Sequence, residues 1–176
     1  INFSYRDFDY ATRSGYGLYS GLNLYDNQVV SSTTYDSNRK RTTTYQNVSG
    51  TYNGWMGIYW NKSYKKEAHK FRFETRLNAS FGLSKGFTDG QSYEAKSKNI
   101  TPRLNFTYDY GELLTINPTY SYTYSQTDYI NYVVESASNF IHRFNFQLTS
   151  YWPKKWVFGS DFGYTYNSNI ASGFKK

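Results

Sequence analysis

Long stretches in which apolar and polar residues alternate constrain this chain more than any other feature. The clearest stretch is "KFRFETRLNASFGLS" (70–84), where Phe71, Phe73 and Leu77 alternate with Arg72 and Glu74. Successive side chains of a β-strand point to opposite faces of the sheet, so this spacing predicts a strand with one apolar and one polar face.

The same period recurs along most of the chain. Similar stretches are 100–110, 114–125, 140–149 and 156–167, with weaker copies at 55–64 and 1–10. The segments between them are short at 65–70, 109–113 and 153–155, and long and polar at 11–50, 86–98 and 126–138. Because short and long connections alternate, we predict an antiparallel meander with tight turns at one end and long loops at the other. Within 11–50, the residues around Asp36–Asn38 predict a hairpin that extends beyond the main sheet.

The composition agrees with an all-β chain and excludes several other classes of protein. Aromatic residues make up 22% of the chain, with 21 Tyr and 13 Phe, yet the mean hydropathy is −0.78. Cysteine is absent, which excludes disulfides and thiolate metal sites. No apolar run approaches the ~20 residues of a transmembrane helix.

Three features favour a membrane barrel over a soluble antiparallel sandwich. The predicted strands are longer than the ~5–6 residues common in soluble sheets and reach the ~9–11 residues that cross a bilayer. The loops are asymmetric, as in outer-membrane barrels. Large aromatics gather near the short turns and suit an interfacial aromatic girdle, formed by Trp60, Tyr64, Phe71, Tyr108, Tyr110, Trp152 and Trp156.

The opposite face carries charges that suit a wet or plugged lumen. These lumen-facing residues are Arg72, Glu74, Arg76, Arg103, Asp109, Arg143 and Asp161. We expect them to form ion pairs that hold the barrel wall, in preference to a glycosidase-like carboxylate pair. Only two histidines occur, His69 and His142, and no nucleophile, phosphate-binding or metal motif accompanies them. We therefore predict that the chain is not an enzyme and that it has no cofactor.

The fold class predicted is an all-β, antiparallel, up-and-down transmembrane β-barrel of the outer-membrane type. Residues 1–176 form one barrel domain with about seven crossings, and 11–50, 86–98 and 126–138 are external loops. In this interpretation strand 1–10 runs outward, 51–64 runs inward, and the last strand ends outside. Bacterial barrels have an even number of strands with both ends periplasmic, so we expect an incomplete segment of a larger barrel.

Several segments resemble the carboxy-terminal barrel of TonB-dependent receptors, a family of large outer-membrane β-barrels. They are "TTTYQNVSGTYNGWMGIYWNKSYKK", "PRLNFTYDYGELLTINPTYSYTYS" and "WVFGSDFGYTYNSN". The resemblance implies a Gram-negative, porin-like membrane protein whose barrel accompanies a plug domain and contacts TonB through parts outside this chain. It implies transport of a scarce ligand across the outer membrane.

The net charge of +7 indicates an anionic surface as partner. The dense basic cluster "SNRKR" (37–41) lies on a predicted external loop, where lipopolysaccharide is nearer than nucleic acid. Expected partners are outer-membrane lipid and lipopolysaccharide, other outer-membrane subunits and the barrel-assembly machinery, with no nucleic acid. The alternatives are a non-transporting barrel (an anchor, adhesin or assembly component), a complete eight-stranded barrel if 11–50 holds an extra crossing, and a soluble carbohydrate-binding module.

Overall fold

The computed structural model describes residues 1–133, 135–153 and 156–169. Two residues of the predicted 153–155 connection, one of the predicted 126–138 loop and residues 170–176 of the predicted domain lie outside this range. The described chain forms ten strands: β1 (Asn2–Asp9), β2 (Ser14–Tyr25), β3 (Gln28–Tyr35), β4 (Arg41–Val48), β5 (Thr51–Lys66), β6 (His69–Thr88), β7 (Gln91–Tyr110), β8 (Leu114–Ile130), β9 (Ser136–Trp152) and β10 (Trp156–Asn167).

Eight of these strands form one antiparallel sheet in the order β1-β2-β5-β6-β7-β8-β9-β10, and β3 and β4 form a separate two-stranded sheet. The predicted all-β, antiparallel class is confirmed, and so is the hairpin around Asp36–Asn38. In that hairpin the Asp36 carboxylate accepts hydrogen bonds from the backbone N–H groups of Asn38 (2.9 Å) and Lys40 (2.8 Å).

The large sheet is a single layer without a core. Each of its strands contacts its neighbours in the sheet, and the main further packing is β3 against β6. Among the described residues the only buried hydrophobic side chain is Ala95, which is 7% exposed. The edge strands β1 and β10 are not paired with each other, so the described sheet is open.

The assignment of 11–50 to an external loop is wrong, because residues 14–25 form β2 inside the main sheet. The alternation of apolar and polar residues is difficult to recognise in β2, "SGYGLYSGLNLY", because glycines replace polar side chains on one face. Glycine is depleted in strands, but here it leaves room for neighbouring rings. A Cβ built on Gly17 would overlap the Tyr59 ring, and one built on Gly21 would overlap the Trp55 ring.

The extra strand changes the strand count and the direction of β1. The main sheet has eight strands rather than the seven predicted. Since β1 is antiparallel to β2 and β2 to β5, β1 runs the same way as β5, opposite to the prediction. The first residue of β1 and the last of β10 therefore lie at the same end of the sheet, away from the short turns.

The other two predicted loops are mostly strand. β6 and β7 continue to a two-residue turn at Asp89–Gly90, with φ values of 50° and 78°, and β8 and β9 leave only residues 131–135 between them. Both turn residues have positive φ, the geometry of a tight hairpin for which Asp-Gly is a strong signal. The connections predicted to be long are therefore short, because the strands on either side extend into them.

Two prolines interrupt the β7–β8 ladder. Pro102 lies inside β7 and Pro118 inside β8, and the pairing of these strands skips both positions. Proline has no N–H to donate, so a central strand that contains one loses ladder hydrogen bonds. Beside Pro118, the buried Oδ1 of Asn117 has no hydrogen-bond partner among the described residues.

Candidate functional site: two opposed faces of one sheet

All seven residues predicted for the aromatic girdle lie on one face of the sheet. Tyr64, Phe71 and Tyr108 are direct cross-strand partners, and Trp152 pairs with Trp156 at the end nearest the β9–β10 connection. The Phe71 and Tyr108 rings are 5.0 Å apart between centroids, and His69 lies 4.9 Å from the Tyr110 ring.

Trp60 is the exception to the predicted position at the strand ends. It pairs with Thr75 of β6, which in turn pairs with Leu104 of β7. This places Trp60 two alternate positions further from the short turn than Tyr64, in the middle of the apolar face. The position of Trp60 within the apolar face follows from the strand register. Sequence spacing alone does not give it, because it does not align one strand with the next.

The apolar face has a defined length that is shorter than the strands. In β7 it runs from Ile100 to Tyr110, and the residues that continue the same face, Lys98 and Lys96, are charged. In β8 it runs from Leu114 to Tyr124 and is followed on the same face by polar residues. The band is thus about 11 residues long, or about 36 Å along a strand. A strand tilted by about 45° would cross a layer of about 25 Å with that length, the height of the apolar band of outer-membrane barrels.

This apolar band is uncovered. Its exposed side chains include Phe162 (57%), Leu104 (52%) and Ile58 (48%). A folded globular protein of 20.7 kDa is expected to expose about 8,900 Å², whereas this chain exposes 13057 Å². Soluble monomers rarely expose contiguous apolar patches above a few hundred Å², so an apolar face of this size needs another molecule or a bilayer to cover it.

The register places all seven residues predicted as lumen-facing together on the opposite face. Arg76 is the direct partner of Arg103, and Glu74 is the partner of Asn105. The expected ion pairs among these residues are absent: in the part of the chain that the structure describes, the ion pair found joins Lys85 and Glu94 at 3.3 Å. That pair lies on the hairpin extension of β6 and β7, away from the predicted set.

The three carboxylates of the polar face are held by neutral donors instead. Asn105 donates from Nδ2 to Glu74 Oε2 (3.4 Å). Thr115 donates from Oγ1 to Asp109 Oδ1 (2.9 Å), and the amide of Gln147 donates to Asp161 (3.1 Å). Each bond joins neighbouring strands, so the carboxylates cross-link the polar face without neutralising its arginines.

A pocket of about 530 Å³ opens on this polar face. Charged and polar side chains that line it are Arg6, Tyr59, Asn61, Glu74, Arg76, Arg103 and Asn105. Sequence reasoning identified Glu74, Arg76 and Arg103 but missed Arg6, because the pairing of β1 with the rest of the sheet depends on β2. The alternation of Ser4 and Arg6 with Phe3 and Tyr5 was the signal that could have found it.

Both histidines contact tyrosines on the apolar face. His69 Nδ1 lies 2.8 Å from Tyr108 Oη, and His142 Nδ1 lies 2.7 Å from Tyr120 Oη. In the part of the chain that the structure describes, the side-chain hydrogen-bond partner of each histidine ring is therefore a tyrosine hydroxyl. Within residues 1–133, 135–153 and 156–169, no group of three or more His, Cys, Asp or Glu is placed to hold a metal ion.

Asp9, the last residue of β1, fixes the turn between β1 and β2. Thr12 donates from Oγ1 to Oδ2 of Asp9 (2.7 Å), and the backbone N–H of Ala11 donates to Oδ1 (2.8 Å). The Thr12 hydroxyl, followed by the two backbone N–H groups, lowers the pKa of Asp9 from its ordinary value of 3.8, because these donors favour the ionised carboxylate.

Comparison of the chain with protein-family models, with curated proteins and with solved structures found no match. No helix in the described part of the chain is long and apolar enough to cross a membrane. The geometry of the two faces is therefore the basis for a functional proposal.

Proposed function

We propose that this chain is a wall segment of an outer-membrane β-barrel transporter similar to TonB-dependent receptors, which takes up a scarce ligand when a separate plug moves. The observation that carries the proposal is the pair of opposed faces on one single-layer sheet. One face is an uncovered apolar band of about 11 residues per strand, which suits a bilayer. The other is a largely polar and charged surface, which suits a wet lumen.

The open edges of the sheet support a barrel larger than the described strands. In hydrocarbon every backbone N–H and C=O group must be paired, so the free edges at β1 and β10 carry an energetic cost there until they are paired. Additional strands pairing with both edges would satisfy these groups. In this proposal the short turns are periplasmic, and the β3–β4 hairpin with its basic 37–41 cluster faces lipopolysaccharide.

The remaining partners follow from the same proposal. Outer-membrane lipid covers the apolar band, and a plug domain and TonB would act through parts of the protein outside this chain. Other outer-membrane subunits are candidates for the open edges, and the barrel-assembly machinery would insert the strands.

A complete eight-stranded barrel is the second candidate, favoured by the eight strands of the main sheet. β1 and β10 run in opposite directions, so they have the relative orientation that an antiparallel closure requires. The chain has no native cysteine, so engineered pairs can test this. A cysteine at Ser4 combined with one at a polar-face position of β10 (Val157, Gly159, Asp161, Gly163, Thr165 or Asn167) should form a disulfide in one pairing if the barrel closes on itself. No disulfide in any pairing is expected for the larger barrel.

The membrane assignment is tested by flotation. The full chain is refolded in the presence of phosphatidylcholine vesicles and centrifuged through a density gradient. We expect the protein to float with the vesicles and to resist extraction at high salt and high pH, because an inserted apolar band is not held by charge. A monomer that stays in the aqueous fraction would refute the proposal. Planar-bilayer conductance then separates a transporter from an anchor, adhesin or assembly component, which would insert without conducting.

A further inference from the structure

Four arginines of the polar face lie on one line across the sheet, although they come from four different strands. The line follows directly opposed residues from β1 to β9: Arg6, Gly17, Tyr59, Arg76, Arg103, Ser121 and Arg143. We use the name arginine row for Arg6, Arg76, Arg103 and Arg143. All four side chains are exposed.

The line that carries the arginine row contains no acidic residue, and the lines on either side of it hold a single carboxylate. The adjacent line on the short-turn side includes one carboxylate, Glu74, which is held by Asn105. The adjacent line on the other side is uncharged, with Asn78 and Thr101 next to Arg76 and Arg103. Like charges placed directly opposite each other repel across a strand pair, so Arg76 and Arg103 destabilise the sheet unless an anion lies between them.

The polar-face pocket includes three of the four arginines. At about 530 Å³, it falls in the range of small-molecule sites, which is ~300–1,000 Å³. Between Arg6 and Arg76 the surface of the pocket is formed by the Tyr59 ring, which lies over Gly17. Guanidinium groups are planar forks of N–H donors that match phosphate and carboxylate oxygens, and the amides of Asn61 and Asn105 add neutral donors beside the Glu74 carboxylate.

We propose that the three residues of the arginine row that line the pocket, Arg6, Arg76 and Arg103, bind a small multivalent oxyanion, a solute that carries two or more phosphate or carboxylate groups. Several separated arginines favour more than one anionic group per ligand. The inference names the substrate class of the proposed transporter and rests on that function for its physiological role. The source is a dissolved solute rather than a lipid headgroup, because the row lies on the face opposite the apolar band.

Binding is tested by isothermal titration of the full chain, refolded in zwitterionic detergent, with inorganic pyrophosphate and with citrate. We expect saturable binding that weakens with added salt, because exposed charges are screened. The double variant Arg76→Gln/Arg103→Gln should lose at least about tenfold in affinity, since charge-assisted hydrogen bonds are removed. The corresponding double lysine variant should retain part of the affinity, because the charge remains and the bidentate geometry is lost.

Lys70→Gln is the matched control. Lys70 lies on the same strand and face as Arg76, six residues away, and pairs with Asp109. This variant removes one positive charge about 20 Å from Arg76 along the strand and should leave the affinity within about twofold. Equal weakening by Lys70→Gln and by a single Arg76→Gln change would overturn the site and indicate binding by net charge. Wild-type affinity in the double glutamine variant, with unchanged far-UV circular dichroism, would also overturn it.

The outcomes separate this inference from the transport proposal. A protein that floats with phosphatidylcholine vesicles but binds neither oxyanion overturns the arginine-row inference alone. A protein that binds pyrophosphate but stays in the aqueous fraction overturns the membrane proposal alone. Vesicles that contain phosphatidylglycerol test the lipid source. If the double glutamine variant loses binding to these vesicles but keeps pyrophosphate binding, the ligand is a lipid headgroup and the solute assignment is wrong.

Discussion

Replacing Leu104 with lysine tests whether the apolar face is surrounded by water or by the hydrocarbon of a bilayer. Leu104 lies near the middle of the band on β7, between Thr75 and Tyr120 in register, and its side chain is 52% exposed. If this face is in water, an exposed lysine should change the free energy of unfolding by no more than ~0.5 kcal/mol. If the face is in hydrocarbon, a lysine near the midplane should destabilise the protein by ~2–4 kcal/mol.

Leu113→Lys is a control matched in residue type and exposure. Leu113 lies in the connection between β7 and β8 and is 53% exposed. A lysine there lies in the turn just outside Leu114, the first band residue of β8, where its expected cost is ~0–1 kcal/mol in a membrane and near zero in water. The difference between the two variants thus separates the effect of placing a lysine inside the band from the loss of a leucine side chain.

The assay is equilibrium unfolding by guanidinium chloride in phosphatidylcholine vesicles, followed by the fluorescence of the four tryptophans. A difference of ~2 kcal/mol or more between the Leu104 and Leu113 variants is expected. Similar and small effects at both positions would refute a lipid-facing band. Cooperative unfolding of a monomer in detergent-free buffer would refute it as well.

Other predictions concern the register and the turns. Gly17→Ala should destabilise the folded state by ~1–3 kcal/mol through overlap with the Tyr59 ring, and a double-mutant cycle with Tyr59→Ala should recover most of that loss; additive effects would contradict the contact. The lowered pKa of Asp9 means that its contribution to stability is present above its unfolded value of 3.8 and is lost as the pH falls through the lower folded value. Thermal unfolding between pH 5 and pH 2 should therefore show a larger loss of stability in the wild type than in Asp9→Asn, and identical profiles would contradict it. Gly90→Val places a branched side chain at a φ of 78° and should cost ~1–2 kcal/mol, measured by denaturant titration, with the exposed Thr88→Val change as the control.

The division into two faces could be predicted from the sequence because the period of two is a local property of a strand. Residues 70–84 keep that period over most of β6 and residues 100–110 over about half of β7, so the face of Arg76 and that of Phe73 were identified without tertiary contacts. β2 could not be identified in this way, because the glycines at 15, 17 and 21 remove the polar half of the pattern. Their role depends on Tyr59 and Trp55 of another strand. The β6–β7 hairpin differs from β2, because its turn signal, the Asp89–Gly90 pair, was present in the sequence although the segment was predicted to be a loop.

The sequence by itself determined an all-β chain with one apolar and one polar face, because alternation acts residue by residue. The tertiary structure decided which residues of different strands lie next to each other, since the register depends on the number of strands and on the pairing of each one. It added β2, reversed β1, moved Trp60 to the middle of the apolar face and replaced the expected ion pairs with neutral hydrogen bonds. It also brought Arg6, 70 residues before Arg76 in the chain, onto the same line of the sheet. A line across strands joins residues that are distant in sequence, and no local pattern encodes it.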